Sequence, residues 1–245
     1  MFCGTTLIAN CNEDAMILAV DSKGHSENSG KPVPPERSFK KCCVIGGKFA
    51  VGTVGMIEFI KVEYEFEKRV TEWIETEYAA IYPKTPARVA TKFHKHMSRA
   101  IHAVEKGLHD EFWKRYPDGK PLVKYVFAGY DEGTPEFYEA RFWFDGKQRK
   151  ILDTPFIFLD VPCYIGNTES IRKIDLPGIE WERYRFERSV VARSLARLPP
   201  CAQEITLDAV ARINVEAYFN DERVGGTVNV IVIERQTDRA ELFSF

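Results

Sequence analysis

What this chain has little of narrows its class first. None of its apolar runs approaches the ~20 residues a membrane-spanning helix needs, and residues 1–4 are too short for a signal peptide. Charge of neither sign dominates: 34 Lys and Arg stand against 36 Asp and Glu, a net −2. That balance offers no electrostatic reason to expect nucleic acid or an anionic membrane as a partner. Cysteine is sparse. The six residues (Cys3, Cys11, Cys42, Cys43, Cys163, Cys201) form no CxxC and no paired metal-ligand spacing, so reduced thiols in a cytoplasmic protein are expected. Cys42 and Cys43 are adjacent and in a strand would point to opposite faces. No tandem repeat, low-complexity tract or linker divides the chain, which favours one domain. Its 44% hydrophobic and 13% aromatic residues suffice for a buried core.

Hydrophobic patterning gives strands, helices, strands, helices and strands in turn. Residues 5–11 and 15–21 read as a hairpin turning at Asn12-Glu13-Asp14. Residues 22–38, rich in Ser, Gly, Pro and charge, read as a loop. A second hairpin, 39–45 and 48–54, turns on Gly46-Gly47. A helical period then sets in over 56–82 (Phe59, Val62, Phe66, Val70, Trp73, Ile74). Pro83 and Pro86 interrupt it, and Thr85 is placed to cap a helix running to about 116. Three or four strands are expected over 122–166. A helix over 168–198 should break near 176–178 and end at Pro199-Pro200, with a last helix over 206–220. Strands 228–235 and 240–245 close the chain. Four of the five histidines (His94, His96, His102, His109) fall on one predicted helix and, lacking a partnering acid motif, read as surface or packed residues.

The Gly4-Thr5 junction opens the first hairpin. A threonine inside a chain is a weak nucleophile. One that has become N-terminal carries its own base, an α-amine whose pKa of about 7.7–8.0 lies near working pH. Cleavage after Gly4 would therefore turn Thr5 from β-branched strand filler into an activated hydroxyl. Asp21 ends the continuously apolar second strand, and a carboxylate buried there needs a positive partner. Taken singly, Asp21, Gly52 and Gly55 read as turn residues and Asp221 as a helix terminator.

Taken in order, five blocks resemble the proteasome β-subunit family of N-terminal-nucleophile hydrolases. They are GTTLIANCNEDAMILAVDSKG at the start, FAVGTVGM (49–56), YVFAGYDEGTPEFYEARFWFD (125–145), YIGNTESI (164–171) and DERVGGTVNVIVIER (221–235). Each is weak alone; their order and spacing over nearly the whole chain carry the similarity. The element pattern alone indicates an α+β fold. The resemblance implies a four-layer αββα sandwich, formed by residues 5–245 once a leader, 1–4, is removed.

It also implies roles. Thr5 would be the nucleophile, its proton taken by the freed amine or a nearby lysine. Family members carry that lysine sixteen residues beyond the aspartate. The ungapped position here holds Arg37, with Phe39 following as an aromatic follows the family's lysine. Arginine keeps its proton and cannot act as a base, so either Arg37 supplies positive charge alone or the alignment slips and Lys40 or Lys41 fills the role. The Gly52 amide would stabilise an oxyanion, and Asp221 matches a second family aspartate. Asn167 and Val224 stand where active relatives carry serines; asparagine can still hydrogen-bond, and valine cannot. Ala50 and Glu58 would line the pocket for the residue before the scissile bond, with a mild preference for basic residues.

The implied activity is a self-processing threonine peptidase or amidohydrolase acting on peptides or unfolded protein. It would require no metal or organic cofactor and would assemble as a homo-oligomeric ring in the cytoplasm, an ATPase or other regulator being left open. Two alternatives remain at this level. One is a catalytically inactive structural subunit, which Arg37, Asn167 and Val224 favour. The other is an acyl transferase or peptide ligase on the same scaffold.

Overall fold

The computed structural model describes residues 5–22, 40–55, 66–105, 121–166, 168–220 and 224–245. The first hairpin pairs β1 (Thr6–Cys11) with β2 (Ala15–Asp21). Asn12 closes it, its side-chain oxygen accepting the amides of Asp14 at 3.0 Å and Ala15 at 2.8 Å, a local bond that substitutes for ladder pairing in turns. The second hairpin, β3 (Cys42–Ile45) and β4 (Phe49–Gly55), turns at Gly46 and Gly47 with φ of +58° and +71°, a conformation glycine adopts without steric cost.

β9 (Val228–Glu234), β10 (Arg239–Ser244) and β8 (Cys163–Gly166) complete the first sheet in the order β10-β9-β2-β1-β8. β5 (Pro121–Asp131), β6 (Thr134–Asp145) and β7 (Lys150–Phe158) extend the second as β3-β4-β5-β6-β7. Both sheets are antiparallel throughout. Four helices accompany them among the described residues: α1 (Phe66–Thr76), α2 (Pro86–Glu105), α3 (Ile179–Val191) and α4 (Pro200–Phe219).

Three apolar clusters show how these elements stack. Leu7, Ala9, Met16, Leu18 and Val20 of the first sheet pack against Ala50, Val54, Val126, Ala128 and Phe137 of the second. On the other side of the first sheet, Ile8, Ile17, Ala19 and Val230 meet Tyr184, Val191, Val210 and Ile213 of α3 and α4. On the far side of the second, Val51, Tyr125 and Phe127 meet Phe66, Val70 and Trp73 of α1 and Phe93 and Met97 of α2. The layers therefore run helices, sheet, sheet, helices. A strand covered on both faces reads as an unbroken apolar run, which is why all seven residues of β2 are buried.

The α+β class agrees with the sequence, as do the two opening hairpins and the four strands over 121–166. Cys42 faces the inter-sheet layer and Cys43 the helix side, as strand alternation requires. Burial pushes both thiols up, Cys43 to about 12. Pro199-Pro200 ends the preceding helical segment as expected, but the start of the last helix needs correction: Pro200 begins α4 six residues before the expected start at 206. A proline in the first turn gives up an amide that has no helical partner anyway. The segment before it tightens into a 3-10 turn, Ala192–Arg197.

Of the helix expected over 56–82, α1 covers 66–76 and a 3-10 turn covers Tyr78–Ala80. Residues 56–65 and 106–120 lie outside the described residues, as does His109. His94 is packed against Phe142, its Nε2 3.0 Å from Asp153. Among the described residues no helix is long and apolar enough to cross a membrane.

Candidate functional site

The site grows from the register of the first hairpin. Leu7 pairs with Val20, and the next step sets Thr6 opposite Asp21. The Thr6 amide donates to Asp21 Oδ1 at 2.8 Å. Asp21 Oδ2 accepts the Gly225 amide at 3.4 Å from the segment entering β9. Two stretches far apart in sequence thus converge on one carboxylate.

Lys41 completes the group. Its carbonyl accepts the Thr53 amide at 2.8 Å, which anchors it just ahead of β3. Its ammonium donates to Thr5 Oγ1 at 2.9 Å and to Asp21 Oδ2 at 3.1 Å. The Lys41 and Asp21 side chains are 1% and 0% exposed, and Thr5 is 1% exposed. Lysine is almost never so deeply buried unless paired. Burial drives the Asp21 carboxyl above the ordinary aspartate range, while the Lys41 ammonium and the Thr6 and Gly225 amides pull it back. A hydroxyl, an ammonium and a carboxylate are therefore held in sequence, away from water.

Gly166 supplies the wall beside Thr5. It ends β8 opposite Thr6 with φ of +96°. A Cβ built there would lie 1.9 Å from the Thr5 carbonyl oxygen and 2.9 Å from Val54 Cγ1. Gly166→Ala therefore combines backbone strain with a collision that backbone atoms cannot relieve. It is expected to cost about 2–4 kcal/mol, read as a fall in the urea midpoint at unchanged m-value.

The sequence-derived residues fare differently. Of the positive partners considered, Lys41 reaches Thr5 and Asp21. Lys40 instead lies at the surface, paired with Glu67 at 2.5 Å. Arg37 lies outside the described residues, as do Gly4, Glu58, Asn167 and Asp221. Ala50 is wholly buried in the inter-sheet layer. Val224 is 1% exposed and packs with the α3–α4 core.

Gly52 sits where a Cβ would press on Leu7 and Leu18, at 2.7 and 2.9 Å, so sheet-to-sheet packing alone calls for glycine. The bond from Thr53 to Lys41 turns the Thr53 amide toward β3. Strand alternation then directs the Gly52 amide toward its partner strand β5 and the Gly55 amide toward the β3 side. Gly55 has φ of +118°, which accounts for a glycine at that strand end.

Thr6, Gly166 and Gly225 contribute through the backbone, a role that side-chain motifs do not announce; the glycine that follows a short strand was the available signal for Gly166. No protein-family model matches the chain, and no curated protein matches it.

Proposed function

We propose that this chain is a self-processing threonine amidohydrolase, a peptidase with the four-layer αββα fold of the N-terminal-nucleophile hydrolases that its sequence resembles. The observation that carries this reading is the position of Lys41 Nζ, 2.9 Å from Thr5 Oγ1 and 3.1 Å from Asp21 Oδ2. The family lysine is thereby supplied four residues later than the ungapped spacing suggests, and Arg37 is not needed for it. Thr6, Gly225 and Lys41 together hold Asp21 as the anchor of that lysine.

The chemistry follows from these contacts. Lys41 polarises the Thr5 oxygen as it attacks the Gly4 carbonyl carbon. The C–O ester bond forms and the Gly4-Thr5 C–N bond breaks, the Thr5 hydroxyl proton being relayed through Lys41 to the departing nitrogen, which becomes the new α-amine. Water then cleaves the ester and releases residues 1–4 as a free acid. That amine, with a pKa of about 7.7–8.0, takes the hydroxyl proton in later turnovers on peptide or unfolded-protein substrates. The Gly55 amide is the backbone donor that strand parity turns toward the developing oxyanion. A homo-oligomeric ring belongs to the same proposal.

The test is stoichiometric labelling by a peptide bearing a hydroxyl-directed electrophile, with the adduct mapped by mass spectrometry. One adduct per chain at Thr5, absent in Thr5→Ala, is expected; no adduct on the wild-type chain overturns the proposal.

The pH dependence of labelling has a defined acid limb. Protonation of Asp21 removes the charge that holds Lys41, so labelling should fall at a pH above the ordinary aspartate value of 3.8. The linked effect on stability has the opposite sign. Between its unfolded and raised folded pKa values, Asp21 keeps in the folded state a proton that the unfolded state has released. This carboxyl alone therefore lowers stability as pH rises through that window.

One observation favours the silent structural subunit as a second reading. Val224, at the position of a family serine, is buried in apolar surroundings and offers no hydrogen bond to the site. That reading predicts no adduct and an uncut junction.

A further inference from the structure

A second buried carboxylate lies beside the site with no assigned part in it. Glu216, on the last turn of α4, is 0% exposed. Its Oε2 accepts the amides of Ser170 at 2.8 Å and Ile171 at 3.1 Å. Its Oε1 accepts Asn220 Nδ2 at 2.6 Å, and the same Nδ2 lies 3.4 Å from Ser170 Oγ. Amide groups thus surround this carboxylate on both oxygens. Burial pushes the Glu216 carboxyl up, and the Ile171, Ser170 and Asn220 donors oppose that.

Such an arrangement is more than helix filler because of what it joins. On one side is Ser170, four residues after Gly166, the residue at which an added Cβ would collide with the Thr5 carbonyl. On the other is the end of α4, from which the Val224 amide bonds back to the Asn220 carbonyl at 3.0 Å and the next amide, Gly225, reaches Asp21. One carboxylate therefore ties together the stretch that follows Gly166 and the stretch that leads to Gly225.

We infer that Glu216 is a positioning residue for the threonine site: with Asn220 it clamps the turn after β8 to the end of α4 and so fixes Gly166 against Thr5 and Gly225 against Asp21. This rests on the proposed nucleophilic role of Thr5. Its distinctive consequence is that loss of the clamp slows chemistry in molecules that remain folded, since misplacing a reacting group by an ångström costs up to about 100-fold.

The test compares the rate constant of Thr5 labelling, well below every variant's melting midpoint, among wild type, Glu216→Gln, Glu216→Gln/Asn220→Asp and Glu187→Gln. Gln at 216 keeps an acceptor for the two amides but turns its own NH2 toward that of Asn220. Asp at 220 restores a donor–acceptor pair there. Glu187 is a comparison carboxylate in the same helical layer, 6% exposed, bonded to Asn214 at 3.0 Å and paired with Arg183.

Glu216→Gln should label about 10- to 100-fold more slowly, the double variant should recover to within about threefold of wild type, and Glu187→Gln should lose melting temperature without slowing. Labelling of Glu216→Gln at the wild-type rate, or equal slowing in Glu187→Gln, overturns the positioning role while leaving the nucleophile intact. Failure of the wild-type chain to label overturns both.

Discussion

Thr5→Ala, purified beside the wild-type chain, is expected to retain residues 1–4, while the wild-type chain loses them completely. Intact mass decides the matter without a substrate. Cleavage at Gly4-Thr5 needs only the Thr5 hydroxyl and the groups already in contact with it: Lys41 Nζ at 2.9 Å, backed by Asp21. Alanine keeps the fold of a buried strand end but deletes the attacking oxygen. Thr5→Ser restores that oxygen and should process again, more slowly, because serine lacks the β-branch that restricts the threonine side chain. A contaminating protease would cut all three alike. If wild type and Thr5→Ala both keep Gly4, the chain is better understood as a silent structural relative.

Lys41→Met is the second substitution with a large expected effect, and it acts on two readouts. Labelling of Thr5 should fall by about 10²–10⁴, the range for a positioned proton-transfer group. Lys41→Arg should be nearly as inactive, since a guanidinium neither gives up its proton nor fits the volume of an ammonium. Lys40→Ala and Arg37→Ala should label at close to the wild-type rate. The stability readout depends on burial. Removing one partner of a fully buried ion pair costs about 3–5 kcal/mol, whereas replacing both with residues of similar size is often neutral. Asp21→Asn, which strands the Lys41 ammonium, should therefore be strongly destabilised, and Asp21→Asn/Lys41→Met should regain most of the loss while staying inactive. Recovery of labelling in the double variant would contradict the assigned roles. So would full labelling of Lys41→Met.

These contrasts mark where the site is legible in the sequence. Thr5 and Asp21 can be read because they sit at the two ends of one tight hairpin, where turn length and strand period leave little freedom in register. Lys41 cannot be reached by counting forward from Asp21, because the sequence over 22–38, rich in Ser, Gly, Pro and charge, has no period to count by, and residues 23–39 lie outside the described residues. Counting back from the Gly46-Gly47 turn reaches it: the pairing that sets Ile45 against Phe49 and Cys42 against Gly52 sets Lys41 opposite Thr53. Lys40 and Lys41 are chemically identical neighbours, and only tertiary packing buries one and leaves the other at the surface.

The α+β class is legible for a related reason. Strands buried on both faces become near-continuous apolar runs, the first six residues of β2 and residues 230–233 of β9, while the helices keep a period near 3.6. Glu216 is the opposite case. A single glutamate in a helix of mixed composition has no local signature, and its meaning resides in amides 45 and 46 residues away.

The interior place of β1, between β2 and the edge strand β8, bears on the rate of the proposed reaction. Chain ends ordinarily fray, and a reactive group carried on one spends part of its time elsewhere. β1 is laced to β2 on one edge and to β8 on the other, so an end created by cutting at Thr5 would stay stitched between two strands. Ordering such an end would otherwise be an entropic barrier of several kcal/mol in each turnover. Under the proposed function that ordering would be accomplished once, when the sheet assembles, and each later reaction would start from a nucleophile already aimed.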